Sequence, residues 1–248
     1  MHHSAPGHPE IERIVAPNPG PMTLEGTNAY LYGSGPSAVI DPGPDDAGHL
    51  EAVLAAAERR GGIGVILLTH GHGDHTDGAE PLAALAAGEQ PPVVAPADGE
   101  VQAGLRALAT PGHAEDHVVF LTEDRVCFSG DLVLGEGSTF VPPDGGSLAA
   151  YMSSLRLLQE QDVELICPGH GPWIADPAAK LAEYLEHREM RERRLLAALE
   201  RGERSKAALL AEVWDDVPVE LRPAAGMVMD AHLEKLEAEG RLPGDGLD

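Results

Sequence analysis

The densest chemistry in the chain lies in Thr69-His70-Gly71-His72-Gly73-Asp74-His75, with three imidazoles and a carboxylate within six positions. Neutral imidazole and carboxylate are the donors that divalent transition metals take, and a straight helix or strand would splay them apart. Glycines between them let the backbone turn sharply enough to bring several side chains to one point. The preceding run, Ile63 to Leu68, is apolar, β-branched and too short for a helix, so the histidines sit where a buried strand ends. Three later motifs repeat that placement. Thr110-Pro111-Gly112-His113 follows a strand expected over Leu105 to Ala109, Phe128-Ser129-Gly130-Asp131 follows Val126 to Phe128, and Cys167-Pro168-Gly169-His170 follows Leu165 to Cys167. A single His or Asp in a turn is ordinarily a cap or a hydrogen-bonding residue. Four motifs of this kind, each beside glycine just past a strand, point instead to a metal centre along one edge of the sheets.

The elements that must position these motifs follow from the apolar periodicity. Alternation marks opening strands at Ile11 to Ala16, Asn28 to Tyr32 and Ala38 to Ile40. Helical spacing covers Asp46 to Arg60 and His75 to Ala87, a short strand is expected over Pro92 to Ala95, and another over Val118 to Leu121. A helix over Leu148 to Gln159 precedes the last strand. Helices alternating with strand runs imply a layered α/β architecture of two sheets covered by helices. From Pro177 onward the pattern is helix only, with stripes through Leu181, Leu185, Leu195, Leu196 and Leu199, then Leu209, Leu210, Val213 and Trp214, then Met229, Leu233 and Leu236. The expected division is therefore a catalytic domain over 1–176 and a helical, winged-helix-like domain over 177–248.

Charge narrows the substrate. The formal net charge is −24, of which −19 falls on Met1 to Asp176 and −5 on the remainder. Nucleic-acid binders present a basic footprint, and aromatic side chains for stacking bases number only 3 Phe, 2 Trp and 4 Tyr. RNA is thus disfavoured as a partner on electrostatic grounds. No apolar run approaches a membrane span, and the first residues, MHHSAPGHPE, lack the basic start and apolar core of a secretory signal, which gives a cytoplasmic expectation. His2 and His3 are given no role. Cys127 and Cys167 read as small core side chains and not as a disulfide.

The set THGHGDH, TPGH, SGD and PGHG resembles the metallo-β-lactamase superfamily, in the order and spacing of its glyoxalase-II-like branch. The resemblance implies an αββα sandwich and two divalent metal ions, Zn2+ foremost, with Fe or Mn as alternatives. It assigns His70, His72 and His113 to the first ion, Asp74, His75 and His170 to the second, and Asp131 to the bridge between them. It also gives Asp41, in Ile40-Asp41-Pro42-Gly43, a supporting place behind the histidines. The segments Asn18 to Asn28, GDLVLGEGSTF, YMSSLRLL and PGHGPWI are similar to the beta-lactamase-like-protein-two group, whose members end in a winged-helix-like domain and include thioesterases and single-strand-directed endoribonucleases. Asp131 at the bridging position argues against a true β-lactamase. The 38 residues between Asp131 and His170 leave no room for the inserted domain of the nucleic-acid-processing branch. The diiron oxygen-reducing relatives would have Glu where His72 stands.

Other residues are weighed against plainer roles. His117 is either a substrate-facing imidazole behind the ligands or a hydrogen-bonded histidine at a strand start. Met22, Thr27 and Asn28 lie on a Gly- and Pro-rich loop that either covers the site or forms a β-turn. Arg188, Arg191, Arg193 and Arg194 alternate with glutamates, the pattern of a salt-laced solvated helix face. The expected activity is a dinuclear-metal hydrolase in which a hydroxide shared by both ions attacks an ester or thioester of a small or carrier-linked acyl compound, with Asp74 orienting it or taking its proton. Single-strand-specific endoribonuclease action is the first alternative, and a non-catalytic winged-helix regulator is the second. A homo-oligomer is compatible with the sequence.

Overall fold

A computed structural model describes residues 2–242, with side chains from Ser4 onward. The chain forms two compact units: Met1–Thr110 with Asp116–Thr139 and Gln161–Pro177, and Pro111–Glu115 with Phe140–Glu160 and Ala178–Asp248.

The first unit holds two sheets. Six strands, β1 (His2–Ala5), β2 (His8–Val15), β3 (Asn28–Tyr32), β4 (Ser37–Ile40), β5 (Ile63–Leu67) and β6 (Val93–Val94), lie side by side in chain order. The second sheet runs β11 (Leu165–Pro168), β10 (Val126–Gly130), β9 (Val118–Leu121), β8 (Leu105–Ala109), β7 (Val101–Gln102). Pairing is antiparallel except for β4 with β5, β5 with β6, and β10 with β11. The short strands β1 and β7 carry too little apolar pattern to be expected from sequence.

Alternation along β3 shows how the layers form. Tyr30 packs into one cluster with Ile40, Leu67, Phe120, Phe128 and Cys167, drawn from both sheets, while Ala29 and Leu31 face a second cluster with Leu50, Val53 and Leu82. Both faces are dry, so every residue of β3 except Tyr32 is buried, Asn28 included. Truncating Phe128, which is fully buried, to alanine would cost ~3–5 kcal/mol. The second cluster is built by α1 (Ala47–Glu58) and α3 (Ala79–Leu85). Asp46 caps α1 by accepting from the His49 N–H at 2.8 Å.

The helix expected over His75 to Ala87 is two pieces, α2 (Gly73–Thr76) and α3. Gly78 separates them, pinned so closely that a side-chain carbon there would meet the Gly43 carbonyl at 2.9 Å and Leu50 at 2.8 Å. Helical periodicity runs straight through this position because it records burial, not the close approach.

The second unit contains α4 (Leu148–Gln159), α5 (Pro177–Glu200, entered through the first unit's last residue), α6 (Lys206–Val213), a 3-10 turn at Val219–Leu221 and α7 (Arg222–Ala238). Its core joins Leu195, Leu199, Leu209, Val213, Trp214, Met229, Leu233 and Leu236, the stripes expected from the sequence. Contrary to the sequence expectation, the Arg-bearing face of α5 is not solvated throughout. Arg188 and Arg191 are each 2% exposed, with guanidinium groups over the rings of Tyr151 and Trp214 at 5.3 and 5.5 Å. Arg191 also donates to the Val213 carbonyl and to Asp216. Only Arg193 and Arg194 face outward. Among the described residues no strand follows β11, and no helix is long and apolar enough to cross a membrane.

Candidate metal centre

Asp41 is the first residue after β4, and its backbone is left-handed at φ 47°. That conformation costs a non-glycine residue roughly 1–2 kcal/mol, and here it turns the carboxylate under the His70 loop. One carboxylate oxygen accepts from the Thr69 N–H at 2.8 Å; the other accepts from the Thr69 hydroxyl at 2.7 Å and faces His75 Nδ1 at 2.9 Å. A carboxylate only accepts, so His75 Nδ1 carries the hydrogen. The Thr69 hydroxyl has spent its one hydrogen on Asp41, so at 2.9 Å it accepts from His70 Nδ1. His170 Nδ1 faces the Gly26 carbonyl at 3.3 Å, again an acceptor only. When neutral, each of the three imidazoles therefore presents its lone pair on Nε2, the state in which histidine binds a metal.

Those lone pairs converge. His75 Nε2 and His170 Nε2 lie 3.3 Å apart, each within 3.5 Å of Asp131 Oδ1, and Asp74 Oδ2 is 3.3 Å from His170 Nε2. His70 Nε2 is 3.0 Å from His72 Nδ1. In the sets His70, His75, Asp131 and Asp74, His75, His170, the donor atoms lie within 4.8 Å of one another. Facing nitrogen lone pairs beside two carboxylates require positive charge between them. Without a metal the cluster holds protons instead. Burial pulls His75 down, but Asp131 and Asp41 outweigh it and hold the imidazole well above its ordinary range. His170 is pushed up to about 9, burial again being outweighed by Asp131 and Asp74. Burial raises Asp131 and Asp74, yet the His75 and His170 charges bring Asp131 well below, and Asp74 below, the usual carboxylate range. The donor set fits divalent transition metals, which would replace those protons.

Glycine permits the convergence. A side-chain carbon at Gly169 would lie 2.5 Å from Asp131 Oδ1, and one at Gly130, where φ is +46°, would lie 2.6 Å from Thr69 Oγ1. His117, just before β9, has its Nδ1 2.9 Å from Thr110 Oγ1 and accepts the Asp131 N–H on Nε2 at 3.2 Å, so it braces the Asp131 loop. His113 is buried in the second unit, with Nδ1 donating to the Phe140 carbonyl at 2.7 Å. Its ring is thus in the same tautomer as the other three.

Sequence reasoning missed Thr69, the relay between Asp41 and His70, although it opens the histidine motif. It also missed His49, whose Nε2 donates to the Pro42 carbonyl at 2.8 Å behind Asp41. Thr27 and Asn28, expected on a loop that either covers the site or forms a β-turn, are buried at the start of β3, where Thr27 forms a β-bridge with His170. Met22 is the exposed tip of their loop.

Residues 22–87 and 87–170 match the Metallo-beta-lactamase superfamily, and residues 205–245 match the Beta-lactamase associated winged helix domain. A Beta-lactamase-like protein 2 homolog of Drosophila melanogaster is 34% identical, over 94% of this chain and 89% of the relative. An Atrochrysone carboxyl ACP thioesterase of Aspergillus chevalieri is 39% identical, over 80% of this chain and 68% of the relative. The crystal structure of a metallo-beta-lactamase family protein from Thermus thermophilus superposes with a TM-score of 0.76 at 26% identity, covering 95% of each chain. The two sheets, the glycine-flanked loops at their ends and the terminal helices thus have one common explanation: the chain belongs to the metallo-β-lactamase superfamily and is a hydrolase of that superfamily with a C-terminal winged-helix domain.

Proposed function

We propose that the protein hydrolyses an ester or thioester of a small or carrier-linked acyl compound at a dinuclear metal centre. The observation that carries the reading is the set of imidazoles whose Nδ1 hydrogens are committed to Asp41, Thr69 and a carbonyl, with Nε2 of His75 and His170 turned toward Asp131 and Nε2 of His70 toward His72. In this reading His70, His72 and His113 would hold one ion, Asp74, His75 and His170 the other, and Asp131 would be shared. Zn2+ suits the donors, and Fe or Mn are the alternatives. When bound, the two ions supply Lewis acidity and a water acidic enough to serve as nucleophile near neutral pH.

The chain's own groups do the rest. Asp74 stays ionised at neutral pH and is partly open to solvent, so it can orient the attacking water and take its proton. As the water oxygen bonds to the acyl carbon, the carbon–sulfur or carbon–oxygen bond breaks, and the proton held by Asp74 neutralises the leaving group. Asp41 and Thr69 keep the histidines in one tautomer throughout. We assign this chemistry to residues 1–176 and a winged-helix-like role to 177–248.

The acyl class rests on the named thioesterase among the relatives and on the charge, since −24 leaves no basic footprint for nucleic acid. The test compares kcat/KM for a panel of acyl thioesters and esters with cleavage of single-stranded RNA, on wild type beside Asp131→Ala. Thioester or ester turnover that vanishes in the variant is expected. Metal-dependent RNA cleavage that vanishes in the variant, with negligible acyl turnover, would replace this reading with endoribonuclease action.

A further inference from the structure

The loop that carries His170 is held by its carbonyls. The Pro168 oxygen accepts from Asn28 Nδ2 at 2.9 Å and from the Tyr30 hydroxyl at 2.7 Å. The Gly169 oxygen accepts from the Asn28 backbone N–H at 2.8 Å, and the His170 oxygen from the Gly135 N–H at 2.9 Å. The Gly171 oxygen accepts from Asn28 Nδ2 at 2.9 Å and from Arg13 at 2.9 Å. Asn28 alone supplies three of these bonds. Its single amide nitrogen spends both hydrogens on carbonyls that flank His170, one on each side.

Few side chains can do this. The site is 1% exposed, so a lysine would bring an unpaired charge into it, and an aspartate would set an acceptor against two acceptors. Tyr30 remains a donor, because burial and then the nearby Cys167 hold its hydroxyl well above the ordinary tyrosine range. Removing the Asn28 amide orphans no carbonyl, since Pro168 keeps Tyr30 and Gly171 keeps Arg13. Each carbonyl therefore keeps one donor while the loop loses the side chain that ties Pro168 to Gly171.

We propose that Asn28 is a positioning residue for His170, fixing the loop so that Nε2 faces Asp74 and Asp131. This rests on the reading of His170 as a ligand of the second ion. The test titrates metal-free protein with Zn2+ in chelator competition, resolving the two binding steps, and records the unfolding temperature of the metal-free form. His170→Ala identifies the step that depends on this loop. Asn28→Ala is expected to weaken that step by roughly 10–100-fold, the range for groups that orient a ligand, and to leave the other step and the metal-free unfolding temperature close to wild type. Asn28→Asp keeps the shape but exchanges donor for acceptor, and must weaken the same step at least as much; it serves if the alanine variant does not fold. Tyr30→Phe should weaken it less, because Asn28 still holds Pro168. Unchanged affinity at that step, or equal weakening of both steps with a lowered unfolding temperature, overturns the inference alone. Retention of both ions by His170→Ala overturns the ligand assignment, and the inference with it.

Discussion

Buried histidines in this chain serve opposite ends, in the candidate metal centre and in the core of the terminal helices. In the first, His70, His75 and His170 each have Nδ1 committed to an acceptor, and Nε2 of His75 and His170 faces carboxylates. In the second, His232 is 0% exposed and neither ring nitrogen has a hydrogen-bond partner; its ring meets Trp214 edge-on at a centroid distance of 5.8 Å. Burial lowers it to about 3, helped by Arg188, Lys235, His187 and Arg191. Such an imidazole is a neutral core side chain. Burial alone thus says nothing of a metal role. What marks His75 and His170 as candidate ligands is a fixed tautomer together with carboxylates around Nε2.

That contrast can be broken at several points. Asp131→Ala removes the carboxylate shared by His75 and His170. Groups that merely orient ligands cost 10–100-fold, so activity below about 1% of wild type is expected, with loss of one ion by elemental analysis. Asp74→Asn keeps the size and removes the charge, and kcat should fall by ~10²-fold at unaltered fold; near-normal kcat with full metal content would remove Asp74 from the mechanism. Thr69→Val breaks the relay from Asp41 to His70 and should weaken Zn2+ binding by about 10-fold, measured by chelator competition.

The smallest effect lies in the second unit. His232 and His187 are lowered to about 3 and about 4, chiefly by burial. Once unfolded they take up protons below about pH 6.5. The unfolded chain then binds more protons than the folded one, so stability is complete above that pH and falls as the pH drops toward 5. His232→Leu should flatten the pH dependence of the unfolding midpoint between 6.5 and 5; an unchanged slope would mean that His232 does not contribute to it.

The candidate donors that the structure brings together were legible in sequence because most of them sit beside glycines just past apolar strands, a local signal. The wiring behind them was not. Asp41 reaches Thr69 across 28 positions and His75 across 34, and Asn28 reaches Pro168 across 140. Such pairs come together only once β3, β4, β5 and β11 are in register. The second unit shows the same limit, since the Arg–Glu alternation on α5 looks solvated until Tyr151 of α4 and Trp214 at the end of α6 cover Arg188 and Arg191.

The central claim is that the converging nitrogens and carboxylates hold two ions at once. Elemental analysis of active wild-type protein, purified without added metal and again after Zn2+ loading and desalting, tests it most directly. The account predicts close to two transition-metal ions per chain after loading, with activity tracking the second. Full activity at one ion per chain, or with none, would contradict it.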